Sequence, residues 1–191
     1  CQMEPLNAVV SIAEDGQRAE VWAGSQAPDG ARSAAAEALG LEFEQVVYHP
    51  CYLGGGFGRR SMSDYVAEAA LLAKAAQRPL KLLWTREDDL QYGAFRPISL
   101  QRMTAAVDED GRITAWSHHI AGPGDNLLAS GAATTYYTIP NQHVEVRAVD
   151  HGIRTKHWRS VGHGPNKFAI EAFLDEITTE LGVDPVEYRL D

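Results

Sequence analysis

The sequence predicts an α+β fold of mixed and antiparallel sheets with packed helices, and three observations predict it. β-Branched, partly alternating runs come in pairs around acidic-glycine turns, alanine-rich segments carry apolar residues at helical spacing, and the two kinds of element mix without the strict alternation of a doubly wound parallel sheet. In order, "LNAVVSIAEDGQRAEVWAGSQ" reads as a hairpin about Glu14-Asp15-Gly16. "PDGARSAAAEALGL" follows as a helix, opened by Pro28 and closed near Gly40. "FEQVVYHP" is a short strand, and "SMSDYVAEAALLAKAAQ" a helix whose Val66, Ala69, Ala70 and Ala73 fall on one face, with Ser61 or Ser63 as its cap.

"RPLKLLW" reads as a buried type of strand, "TREDDLQYG" as a capped turn or short helix, and "ISLQRMTAAVDEDGRITAWSHHI" as a second hairpin about Asp108–Gly111. Residues 121–142 read as loop, "HVEVRAV" as a strand, "TKHWRSVGHGPN" as a second glycine-bearing loop, and "NKFAIEAFLDEITTELG" as an amphipathic helix ended by Gly182. The chain begins on the approach to a strand and ends in a helical turn, "DPVEYRLD", without a stop signal. Both ends are therefore expected to be cut from a larger protein.

Composition excludes several classes. A net charge of -9 argues against a nucleic-acid partner, whose binding domain would show a basic face. No apolar run approaches the about 20 residues of a membrane span. Cys1 and Cys51 give neither a disulfide framework nor a CxxC metal site and read as unrelated thiols.

The stretch "YLGGGFGRRS", residues 52–61, is the feature that carries chemistry. Glycine costs about 0.5–1 kcal/mol relative to alanine in regular structure, so the run reads as a loop where backbone must approach something closely. Arg59 follows Gly58 where a nucleotide P-loop needs lysine, and stands where a dinucleotide fingerprint needs its third glycine. Its setting between a strand and a helix start instead suggests unpaired N–H groups and the positive end of a helix dipole offered to an anion. The histidines offer less. His118 and His119 are adjacent on a strand and point to opposite faces, so that strand cannot bring both to one metal. Glu87-Asp88-Asp89 reads as a solvated turn, and no nucleophile with a basic partner stands out.

The glycine loop does not stand alone. "MEP" at 3–5, "WAGSQ" at 22–26, "LGGGFGRR" at 53–60, "RPLKLLWTREDD" at 78–89, "YTIPN" at 137–141 and "WRSVGHGPNKFAIEAFLDE" at 158–176 occur in one order along the chain. That order resembles the large, molybdenum-binding subunit of the xanthine dehydrogenase and aldehyde oxidase family, in particular its isoquinoline 1-oxidoreductase beta-subunit type. The resemblance implies that residues 1–191 are a fragment of the molybdopterin-binding domain, with two small α+β lobes at about 1–95 and 96–191.

It also implies roles. Gln26 matches the catalytic glutamine beside the metal's oxo ligand. Gly54, Gly55, Gly56, Phe57 and Gly58 match the loop whose backbone meets the cofactor, Arg59 and Arg60 would contact pterin or phosphate, and Arg159 matches the arginine of the second metal-side loop. No protein side chain here is implied as a direct metal ligand. Ser61 stands where purine-oxidising members carry a glutamate, Val161 replaces their stacking phenylalanine, and Leu127 and Leu128 lie near the position of their second substrate-orienting arginine. A purine substrate is therefore disfavoured against an N-heteroaromatic compound or an aldehyde, with Ser61 and Val161 facing the substrate.

The implied cofactor is molybdopterin with molybdenum, as the cytosine dinucleotide, and the implied partners are an iron–sulfur alpha subunit carrying 2Fe–2S clusters, the remainder of the same large subunit and a small-molecule substrate. Water would be the oxygen source. The general-base glutamate of the family would lie beyond residue 191, so the isolated fragment is expected to be inactive. Relatives of this type are often exported, which leaves periplasm and cytoplasm both open. Two rival readings stand beside this one: a non-catalytic scaffold or interaction domain keeping the fold without cofactor, and a different anion-binding enzyme sharing only the glycine loop.

Overall fold

In the computed structural model, residues 2–132 and 137–190 are described, without the side chains of residues 125 and 126. The chain divides into two compact units, Cys1–Ala94 with Lys156–Arg159, and Phe95–Thr155 with Ser160–Asp191.

In the first unit, β1 (Asn7–Ile12) and β2 (Ala19–Ala23) form the expected hairpin, and α1 (Pro28–Leu39) leads to β3 (Val46–Pro50). Then come α2 (Asp64–Ala76), β4 (Leu80–Leu83) and α3 (Arg86–Gln91). The sheet order is β3-β2-β1-β4, with β2 and β3 parallel and the other pairs antiparallel. Alternate residues Leu6, Ala8 and Val10 of the first strand region and Ala19, Val21 and Ala23 of β2 are buried in the core with Ala31 and Ala35 of α1 and Val66, Ala69 and Ala73 of α2. The small alanine side chains leave room for α1 and α2 to pack against each other, and α2 against β1.

Two elements differ from the sequence expectation. β4 is an edge strand paired only with β1, and Lys81 and Leu83 are exposed because helices line only one face of this sheet. The acidic turn is not simply solvated. Asp88 completes a capping box with Thr85, and Asp89 is buried, paired with Arg86 at 2.9 Å.

In the second unit, β5 (Leu100–Val107) and β6 (Ile113–Gly122) are antiparallel, and β7 (Asn141–Ala148) lies parallel to β6. Trp116, His118 and Ile120 alternate inward, and Ser117 and His119 point the other way, as the two-residue strand period requires. α5 (His163–Leu181) brings Ile170 and Leu174 onto Trp116 and Ile139. α6 (Pro185–Leu190) starts on Asp184, whose carboxylate accepts from the N–H groups of Val186 and Glu187. The 121–142 region is not loop throughout: β6 runs to Gly122 and α4 (Asp125–Ala129) follows, with Leu128 buried against Ile120 and Ala132. Burial of one leucine in the core stabilises a helical turn that local propensity does not announce. No helix among the described residues is long and apolar enough to cross a membrane. Cys51 is an exposed free thiol, and Cys1 lies outside the described residues.

Candidate functional site

The glycine loop leaves the end of β3 and reaches α2 through a 3-10 turn, Arg59–Ser61. It therefore does not feed the helix directly. Ser63 occupies the cap position of α2 but makes no side-chain cap bond, and the Ser61 hydroxyl donates instead to the Gly58 carbonyl at 2.6 Å. The loop's own N–H groups are the donors that remain. Gly54 N–H is bound by the Glu4 carboxylate and Gly58 N–H by Gln26 Oε1, at 2.8 Å, whereas those of Gly55, Gly56 and Phe57 have no partner among the described residues. Gly55, Phe57 and Gly58 all have positive φ, at 95°, 50° and 96°. Successive N–H groups in such backbone form a concavity suited to an anion.

Gln26 is fixed against this loop at both ends. Its backbone N–H donates to the Arg60 carbonyl at 3.0 Å, and its side-chain oxygen accepts from Gly58. Because a backbone N–H can only donate, the amide orientation is forced, and the Nε2 group is left as a donor with no partner among the described residues. The amide lies across Gly56 so closely that a Cβ there would come within 2.8 Å of Gln26 Cγ. Gly58 has a second reason to lack a side chain: a Cβ would stand 2.7 Å from the carbonyl carbon of His157. The 156–159 segment thus packs backbone to backbone on the loop within the first unit. His157 Nδ1 is buried without a partner among the described residues, a further polar atom left to be satisfied there.

Both arginines point into the protein. Arg59 is buried and grips Asp64 with two 2.8 Å hydrogen bonds. Arg60, fully buried, donates to the carbonyls of Gly24, Glu4 and Pro5 and pairs with the Glu4 carboxylate at 3.1 Å. Tyr65 also donates to Gly24 O, at 2.7 Å. Glu4 therefore links the N-terminal segment, Arg60 and Gly54. Burial pushes its carboxyl up, but the Gly54 N–H, the Asn7 amide and the Arg60 charge outweigh that and hold it below the usual value.

The chain matches the model of the molybdopterin cofactor-binding domain over residues 1–191. It belongs to that family. The beta subunit of isoquinoline 1-oxidoreductase from Brevundimonas diminuta is 33% identical over 208 residues, covering 98% of this chain and 26% of the relative. A protein of Gluconacetobacter polyoxogenes named membrane-bound aldehyde dehydrogenase [pyrroloquinoline-quinone] is also 33% identical, over 100% of this chain and 27% of its own length. Among solved structures, the aldehyde oxidoreductase from Desulfovibrio gigas superposes with a TM-score of 0.86 at 27% identity, covering 99% of this chain and 22% of that one. The chain thus spans about a quarter of the length of the curated relatives it matches. The α+β fold and the membership of the molybdenum-binding subunit family, both expected from the motifs, are those of these relatives.

Of the residues singled out in the sequence of this molybdopterin-binding domain, Gln26, Gly54–Gly58 and the 156–159 segment that includes Arg159 belong to the first unit. Arg159 is exposed there. Val161 belongs to the second unit, where it and Ser160 hold positive φ, 50° and 74°. For a β-branched residue this backbone is strained, and its carbonyl is held by Arg96 Nη1 at 3.2 Å. Sequence reasoning missed the clamp made by Glu4. The motif "MEP" contains it, but nothing local tells a carboxylate that partners such as the Gly54 N–H and Arg60 lie 50 and more positions away.

Proposed function

We propose that this chain supplies the molybdopterin-facing wall of a molybdenum hydroxylase that hydroxylates an N-heteroaromatic compound or oxidises an aldehyde, with water as oxygen source. The observation that carries the proposal is the Gln26 amide, locked across Gly56 beside three unpartnered backbone N–H groups. The donor set fits an anionic group whose ligands accept hydrogen bonds. When bound, the molybdenum–pterin group would supply the two-electron redox chemistry. The residues of this chain would orient it: the N–H groups of Gly55, Gly56 and Phe57 would donate to it, and Gln26 Nε2 would donate without adding charge. Arg59 and Arg60 act from behind as supports of the loop, since their guanidinium groups are engaged by Asp64, Glu4 and main-chain carbonyls. The resemblance would further assign Arg159 to the metal side and Ser61 and Val161 to the substrate. In this reading the pterin would be the cytosine dinucleotide form, an alpha subunit with 2Fe–2S clusters would accept the electrons, and the rest of the large subunit would close the pocket.

The test is molybdenum by mass spectrometry and pterin by fluorescence after oxidation, on the full-length subunit coexpressed with its iron–sulfur partner. Stoichiometric molybdenum with a cytosine nucleotide is expected. Gln26→Ala and Gly56→Ala should each lower occupancy about tenfold, the loss of roughly 1.4 kcal/mol of binding, with circular dichroism unchanged. A folded complex with a quinone instead sinks the proposal, and one with no cofactor at all, from a host that makes molybdopterin, leaves the scaffold reading.

A further inference from the structure

The outer face of the β5-β6-β7 sheet carries a second group of residues with no part in the glycine-loop site. His119 on β6 and His143 and Glu145 on β7 are exposed, and one donor atom from each lies within 4.8 Å of the others. The parallel pairing sets His119 opposite Glu145 and Ser117 opposite His143, so the three ligand-type side chains rise from one face in adjacent rows. His119 Nδ1 stands 3.3 Å from Glu145 Oε2, and His143 Nε2 stands 3.9 Å from the same oxygen. The two imidazole rings are 5.6 Å apart, centre to centre.

We propose that His119, His143 and Glu145 form a binding site for a divalent transition cation of the kind that prefers imidazole, such as Zn2+. A tetrahedral shell with metal–nitrogen distances of about 2.0–2.1 Å separates neighbouring ligand atoms by about 3.3 Å, which the His119–Glu145 pair already meets. Closing the shell requires the exposed His143 ring, now 3.9 Å from that oxygen, to move inward to the same spacing. Two nitrogens and one carboxylate oxygen favour zinc, copper or nickel over magnesium or calcium, which take all-oxygen shells. His119 is also oriented for the task. Its Nε2 shares a 2.7 Å hydrogen bond with the Ser117 hydroxyl, which turns Nδ1 toward Glu145, the arrangement by which a supporting partner fixes the tautomer of a metal-binding histidine. Arg147 lies 3.9 Å from Glu145 Oε1, the other carboxylate oxygen, and leaves Oε2 to the two rings. Three protein ligands would leave the remaining coordination positions to water.

Equilibrium dialysis of the full-length protein against Zn2+, with bound zinc counted by mass spectrometry separately from molybdenum and iron, tests this. One zinc per chain is expected, undisplaced by excess Mg2+, with affinity reduced at least tenfold in His143→Ala and in Glu145→Gln. His151→Ala, an exposed histidine elsewhere in the unit, should bind as the parent does. All three positions are exposed, so the variants should fold, checked by circular dichroism. An absence of zinc binding, or an isotherm unchanged by both His143→Ala and Glu145→Gln, overturns the proposal and leaves the cluster as a surface histidine–glutamate pair.

Discussion

At the scale of the residue, Glu4 and Gln26 divide the work of shaping the glycine loop. Glu4 holds its first N–H and Gln26 its last, and the three N–H groups between them have no partner among the described residues. Gln26 could be singled out in the sequence because it closes the "WAGSQ" motif. Glu4 could not, because a carboxylate in a three-residue motif has no local mark of burial. Its depressed carboxyl pKa makes a prediction with a definite sign. A group whose folded pKa is below its unfolded value contributes stability that is complete above the unfolded pKa and is lost as pH falls through the folded one. Urea unfolding of the parent, followed from about pH 7 to about pH 2.5, should therefore show this contribution intact at neutral pH and lost progressively as pH falls through and below the ordinary carboxylate range. Glu4→Gln should be less stable at neutral pH and lack that part of the acid dependence. An acid limb of equal depth in both proteins would mean that Glu4 is not the group.

At the scale of the element, punctuation explains most of the agreement and the disagreements. α1 begins on Pro28 and ends on Gly40 in the left-handed region, the pairing that helix geometry favours. α2 ends instead on Gln77, a non-glycine residue at φ 52° and exposed to solvent. Gln77→Gly should thus raise stability by about 0.5–1 kcal/mol, seen as a higher urea midpoint with an unchanged slope; an unchanged or lower midpoint would contradict it. The strand from Leu80 to Leu83 was read as buried because an apolar run looks the same at the centre and at the edge of a sheet. Only pairing decides which, and here β1 is its sole neighbour. α4 was missed for a related reason: five residues carry too little periodicity, and the burial of Leu128 that holds them comes from elsewhere.

At the scale of the whole molecule, Arg60 ties together segments of the first unit that lie far apart in the chain. Its guanidinium joins Glu4 and Pro5 at the N-terminal segment to Gly24 after β2, and its own carbonyl accepts from Ser25 and Gln26. Removing it takes one donor each from the carbonyls of Gly24, Glu4 and Pro5 and the opposite charge from the Glu4 carboxylate, so Arg60→Ala should destabilise the protein by about 3 kcal/mol or more, the usual cost of breaking a buried pair on one side. Arg60→Lys should recover little, since an ammonium cannot spread donors in the same planar fork. Guanidinium unfolding measures both, and a loss under about 1 kcal/mol would place Arg60 with exposed ion pairs instead.

The sequence by itself determined the α+β class, both hairpins, the three long helices and the loop at which backbone comes close to a partner, because periodicity, turn chemistry and glycine content are local. It also carried the family, through motifs spread over the whole chain. Tertiary structure alone decided which way the arginines point, which N–H groups of the loop stay open, and that the 156–159 segment packs on Gly58. It likewise brought His119 to His143 and Glu145, which the strand period separates from His118 but cannot assemble. These are matters of contact between positions far apart in the chain, and sequence spacing carries no information on contact until the strands have paired and the loops have closed.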